Sequence, residues 1–119
     1  MTIKRGNVFL ADLGSTIGSE QKGIRPVLIV QNDIGNRYSN TTIIAALTTK
    51  TEKKPNPTHI KLLAEESGLP KDSLILLEHI RTIDKKRIIK YLVTLNDEII
   101  SLVNGAIEIS LGLITIQCR

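Results

Sequence analysis

Aromatic residues are scarce in this sequence: they make up 3% of its 119 residues, and Trp is absent. That scarcity argues against recognition built on rows of stacked aromatic side chains. Cysteine occurs once, at Cys118, so no intrachain disulfide or thiolate-rich metal site can form, and a reducing, cytoplasmic setting is expected. No apolar run reaches the roughly 20 residues needed to cross a bilayer, and Met1 to Asn7 is charged and polar, so neither a signal peptide nor a membrane anchor is expected. The two histidines, His59 and His79, lie far apart and outside any ligand-spaced cluster, so no metal and no cofactor is expected. Phosphate-binding glycine loops are absent as well, since Gly14, Gly18 and Gly23 precede a strand instead of opening a helix. Ser19, within Gly18-Ser19-Glu20, lacks the strand-turn-helix context of a hydrolase nucleophile.

What is present is a 41% hydrophobic content carried almost wholly by Ile, Leu and Val, enough for one ordinary core and hence one domain over residues 1–119. Sixteen Lys and Arg against twelve Asp and Glu give a formal charge of +4 and a pI near 9.4, a mild bias toward polyanions.

The pattern along the chain is mostly that of short strands. Asn7 to Leu13 reads as a strand, and 14–23 as a long loop rich in Gly, Ser and charge. Pro26 opens Val27 to Val30, an apolar run expected to be buried on both faces. A polar turn over Asn32 to Asn40 then leads to a strand at Thr42 to Leu47, which places Thr48 at its end. Lys50 to Pro57 reads as a basic loop in which Lys50, Lys53 and Lys54 either touch phosphate or stay solvated. Further strands are expected at His59 to Leu63 and at Ser73 to Leu77, the latter continuing toward Arg81 to Ile83, with a turn at Ser67, Gly68 and Pro70 between them. The period changes only near the end, where Ile99, Leu102, Val103, Ala106 and Ile107 mark a helix face. Thr94 or Asn96 is its N-cap, and Asp97 and Glu98 fill its first turn. The expected fold class is a β-rich α+β protein: a small twisted barrel or sandwich with a C-terminal helix.

One constellation carries chemistry: Ser19-Glu20-Gln21-Lys22-Gly23-Ile24-Arg25-Pro26-Val27, then Gln31-Asn32-Asp33, Thr48, and Leu77-Glu78-His79-Ile80-Arg81-Thr82-Ile83. With Lys4-Arg5-Gly6 before the first strand, these blocks closely resemble the MazF/PemK/Kid family of toxins, in order and at suitable spacing from Lys4 to Leu113. The resemblance implies a small SH3-like barrel of the CcdB/PemK type with a C-terminal helix, assembled as a homodimer whose RNA groove crosses the interface. It also implies a MazE-type antitoxin partner with an acidic tail, and a single-stranded RNA substrate cut at UACAU.

By the same resemblance Arg25 and Thr48 are the catalytic pair. Ser19, Gln21 and Lys22 are RNA contacts from the loop, Asn32 and Lys50 contacts beyond it, and Glu78, His79 and Arg81 contacts from the later block, with His79 a candidate base reader. RNA can be cut without a metal because its own 2′-hydroxyl attacks phosphorus, and a guanidinium fork suits the charge that builds on the phosphoryl oxygens. An arginine with a pKa above about 12 is a poor base, so Glu20 is the nearest sequence candidate for taking the proton, or else it orients Arg25. Without the resemblance, Arg25 reads as a strand-edge residue paired to a carboxylate, and Thr48 as a β-former at a strand end. The rivals are a CcdB-like toxin that poisons gyrase without cutting RNA, in which Arg25 and Thr48 would be dispensable, and a non-catalytic RNA-binding barrel.

Overall fold

The computed structural model describes every residue except Ser19, Lys53 and 116–119. Its strands are β1 (Asn7–Asp12), β2 (Ile24–Ile29), β3 (Thr41–Thr48), β4 (His59–Leu62), β5 (Ser73–Asp84) and β6 (Ile88–Thr94). The helices are α1 (Asp33–Tyr38), α2 (Ala64–Ser67) and α3 (Asp97–Ser110). All recorded strand pairs are antiparallel, and the six strands lie in the order β4-β5-β3-β2-β1-β6, with β4 and β6 at the edges. This strand-dominated sheet with one long C-terminal helix is the fold class expected from the sequence.

Each face of the sheet carries its own core, which is why the central strands are apolar at consecutive positions. Val27 and Ile29 face one cluster with Phe9, Ala11, Ile44, Ala46, Ile83 and Ile88. Leu28 faces the other with Val8, Ala45, Leu47, Ile75 and Leu77, and α3 closes that side with Val103 and Ala106. Burial of β2 on both faces follows the sequence reading. The small pair Ala45-Ala46 lets both layers approach the middle of β3, where both alanines are buried.

The C-terminal helix begins where its cap chemistry dictates. The Asn96 side chain accepts from the Ile99 N–H at 2.9 Å, which settles the choice between Thr94 and Asn96, and Asp97 and Glu98 occupy the first turn. Leu102, read as part of the buried face, is 60% exposed, and Ile100 takes its place beside Ile99, Val103, Ala106 and Ile107.

Three elements differ from the expectations. The turn over Asn32 to Asn40 contains α1, capped by Asn32, whose side chain accepts from the Gly35 N–H. Buried Asn36 anchors it: Thr42 Oγ1 and Gln31 Nε2 donate to Asn36 Oδ1 at 2.7 and 3.1 Å, and Asn36 Nδ2 donates to the Gln31 carbonyl at 2.9 Å. Polar residues build this helix by hydrogen bonding, so hydropathy gives no sign of it. A single turn, α2, precedes Gly68, which ends it in the left-handed conformation. The sequence reading placed no strand at Ile88–Thr94; β6 is an edge strand with a largely exposed middle and no period-two alternation.

Candidate functional site

The sheet splays at one corner, and the register explains how. β2 pairs with β3 only from Val27↔Ala46 to Ile29↔Ile44, whereas Leu47 and Thr48 continue on β5 against Ile75 and Leu74. Pro26, without an N–H, therefore costs no bond to β3. The gap is a cleft of about 540 Å³, with Arg25 and Pro26 on one wall and Leu47, Thr48 and Thr49 on the other; Gln21, Ile24, Lys50 and Ser73 complete the lining. Among the described residues that line it, two are cationic and none is a carboxylate.

Arg25 is held by neutral acceptors. Its Nε donates to the Lys22 carbonyl at 2.9 Å, and Nη1 donates to Gln21 Oε1 and to the Leu47 carbonyl at 3.4 Å. No carboxylate pairs with it among the described residues, so the plain reading of Arg25 as a member of a strand-edge ion pair does not fit. Among the described residues the guanidinium is oriented without being neutralised, and Nη2 keeps its donors for a ligand. Thr48 is only 8% exposed, and its Oγ1 accepts from the Lys50 N–H at 3.3 Å, which leaves the hydroxyl proton to donate into the cleft. The two sequence-predicted catalytic residues thus face each other across the splayed corner.

A second cleft, of about 480 Å³, adjoins the first through Gln21, which lines both. Leu13, Ala46 and Ile80 form its apolar wall, and Glu20, Glu78, His79 and Arg81 its polar one. These β5 residues are presented by an irregularity: Ala45 pairs with Ile80 but Ala46 with Leu76, so Leu77, Glu78 and His79 are extruded from the ladder with β3. Leu77 turns into the core and gives its N–H to the Thr58 carbonyl at 2.9 Å. Glu78 meets His59, Oε2 to Nε2 at 2.6 Å, the one ion pair recorded among the described residues. Thr58 Oγ1 lies 3.1 Å from Glu78 Oε1 and 2.7 Å from Asn56 Oδ1, so its single proton serves one acceptor at a time. Burial pushes the Glu78 carboxyl up, but hydrogen bonds from His59, its own backbone and Thr58, with the His59 charge, outweigh this and hold it below the usual carboxylate value.

The loop beside both clefts is closed at its neck. Leu13 N donates to the Gly23 carbonyl and Gly23 N to the Gly14 carbonyl, both at 2.9 Å. Gly14 and Gly23 take positive φ of 69° and 75°, where a side chain would be strained. Arg81 Nη1 donates to the Leu13 carbonyl at 3.3 Å and ties β5 to this neck.

Not every sequence candidate gathers here. Asn32 caps α1 beyond the opposite end of β2 from Arg25, and it lines neither cleft. Lys22 is exposed and contributes its backbone carbonyl to Arg25. Glu20 lines the second cleft but makes no hydrogen bond to Arg25; the orienting side chain is its neighbour Gln21. Ser19, Lys53 and Cys118 lie outside the described residues. Sequence reasoning missed Ser73, whose buried Oγ donates to the Lys71 carbonyl at 3.1 Å, and the Thr58–His59 contact with Glu78. Both depend on strand pairing, which no local motif reports.

Residues 4–111 match the family of PemK-like, MazF-like toxins of type II toxin-antitoxin systems. The chain belongs to this family. It is 52% identical over 114 residues to the endoribonuclease EndoA of Bacillus subtilis, covering 96% of this chain and 98% of that protein. It is 53% identical over 115 residues to the endoribonuclease MazF of Staphylococcus saprophyticus, covering 97% and 96%. Among solved structures, a mycobacterial endoribonuclease in complex with its cognate antitoxin matches the fold at a TM-score of 0.78 and 26% identity, over 95% of this chain and 98% of that one.

Proposed function

We propose that this chain, acting as a single domain, cuts single-stranded RNA without a metal ion, at the corner between Arg25 and Thr48. At the level its relatives share, it is a MazF-type toxin endoribonuclease of a toxin-antitoxin system. The observation that carries the finer reading is the unneutralised Arg25 guanidinium facing the Thr48 hydroxyl in a cleft that, among the described residues, is lined by no His, Cys, Asp or Glu. The substrate's 2′-hydroxyl attacks the adjacent phosphorus as the bond to the 5′-oxygen breaks. Arg25 Nη2 and the Thr48 hydroxyl hold the phosphoryl oxygens where negative charge builds. Glu20, the nearest groove carboxylate in sequence, takes the 2′-hydroxyl proton and water returns one to the 5′-oxygen, giving a 2′,3′-cyclic phosphate and a 5′-hydroxyl. Lys50 adds positive potential for the backbone.

The acting form is a homodimer in the cytoplasm, and the cut sequence is UACAU. Exposed Leu102 on α3 and Leu111 just beyond it are apolar surface that a second copy would cover. The mycobacterial relative is bound to its antitoxin, and we extend that partnership to a MazE-type antitoxin here, whose acidic tail suits the cationic corner. No helix among the described residues is long and apolar enough to cross a membrane.

The test is purified protein with mixed-sequence RNA in excess EDTA, followed by end-group analysis and mapping of the cuts. Cyclic phosphate ends at a short recurring sequence are expected, and intact RNA would overturn the reading. A CcdB-like toxin or a passive RNA-binding barrel would leave the RNA whole. A monomeric mass at micromolar concentration would overturn the dimer.

A further inference from the structure

We propose that Glu78 reads the exocyclic amino group of an adenine or cytosine in the RNA, and that His59 is a positioning residue that fixes its carboxylate for the task. The proposal rests on the endoribonuclease reading and gives the second cleft its substrate chemistry. A carboxylate on the wall of a groove that takes a polyanion repels phosphate, so its presence there calls for a compensating contact with a base. Glu78 is suited to one. The extruded segment of β5 frees it from the ladder with β3, and its side chain keeps 37% exposure while lining the cleft.

Its two oxygens are not equivalent. Oε2 is committed to His59 Nε2 at 2.6 Å, whereas Oε1 shares the Thr58 proton with Asn56 and is the freer acceptor. An ionised carboxylate only accepts, so a base edge presenting a carbonyl is rejected and one presenting N–H is taken. One free oxygen suits a single projecting amino group better than the paired donors of guanine. The clamp matters because the rotamer is fixed before the base arrives, and little ordering remains to erode the discrimination. It also ties this choice to the start of β4, since His59 opens that strand.

The test is cleavage of a randomised RNA library in EDTA by wild type, Glu78→Ala, His59→Ala and His59→Gln, with preferences scored at each position of the cut site. In wild type, at least one position should favour A or C over G and U, and Glu78 acts at one such position. Glu78→Ala should lower that preference by about tenfold or more and leave the other positions unchanged. His59→Ala should weaken the same position, and His59→Gln, whose amide still donates, should restore part of it. Each score is a ratio within one preparation, so partial unfolding cancels. An arm that needs no variant replaces the favoured base by its analogue lacking the amino group; wild type should lose the same factor. An unchanged profile in Glu78→Ala, or an analogue cut as well as the parent base, overturns the proposal. His59→Ala slowing every site alike overturns the positioning role. Wild-type protein that cuts nothing overturns the underlying nuclease reading, so the two failures are told apart.

Discussion

Replacing Arg25 by alanine removes a guanidinium that the fold orients but does not neutralise. Of its five N–H groups, Nε serves Lys22 and the two on Nη1 serve Gln21 and Leu47, which leaves the pair on Nη2 for substrate. Losing one preorganised donor to a developing oxyanion costs about 3–4 kcal/mol, or roughly 10²–10³ in turnover, and a charged, two-pronged donor sets that as the lower end. Arg25→Lys keeps the charge but loses the fork that Lys22 and Gln21 hold, so it should recover only part of the loss. Stability should change little, because Arg25 is half-buried and outside both apolar clusters. The assay is single-turnover cleavage of a fluorescent RNA oligonucleotide in EDTA, with circular dichroism as the control for folding. An Arg25→Ala protein that is folded and cuts within tenfold of wild type would refute the electrostatic argument.

Four further outcomes follow from the geometry. Thr48→Val should slow single-turnover cleavage by about 10²-fold while Thr48→Ser stays near wild type, because only the hydroxyl donor differs in kind. Asn36→Ala should lower stability in urea titrations by about 2–3 kcal/mol, since it strands the partners of a buried amide that holds α1 to β3. Asn96→Ala should cost about 1 kcal/mol in the same measurement through loss of the α3 cap. Acidification should destabilise the fold. Asp33 is held below its ordinary value first by the Arg5 N–H and then by Asn36, and Glu78 is held low as well, so the unfolded chain takes up protons first. Their contribution is complete above the ordinary carboxylate range and is lost as pH falls from about 5 through the lower folded values. Melting curves from pH 7 to 3 should show a shallower decline in Asp33→Asn with Glu78→Gln.

The strands on either side of Arg25 were legible because they are buried on both faces and interrupted by glycine, proline and charge. The α3 start was legible from Asn96, Asp97 and Glu98. What the sequence hid was held by polar contacts or by register. Asn36 looks like a loop residue until Gln31 and Thr42 are seen to satisfy it, and Ile88–Thr94 lacks alternation because it lies at an edge. For the site, family resemblance supplied both Arg25 and Thr48, with charge chemistry giving a further reason only for Arg25, and the pairing of β3 with β5 carries Thr48 to the cleft that Arg25 lines. Gln21, not Glu20, orients Arg25, a distinction of one position along a loop that no spacing rule resolves. Asn32, grouped with the RNA contacts, turns out to cap a helix.

The extruded segment of β5 separates two kinds of structural constraint. Arg25 and Thr48 lie just beyond the last β2–β3 pair, Val27↔Ala46, so the corner between them is carried on paired strands. Leu77 to His79 carry no ladder bond to β3, and only Leu77 is committed to the core. Positions 78 and 79 can therefore exchange side chains without shifting the corner. If Glu78 reads a base as proposed, those two positions are where a laboratory selection for altered target sequences should begin.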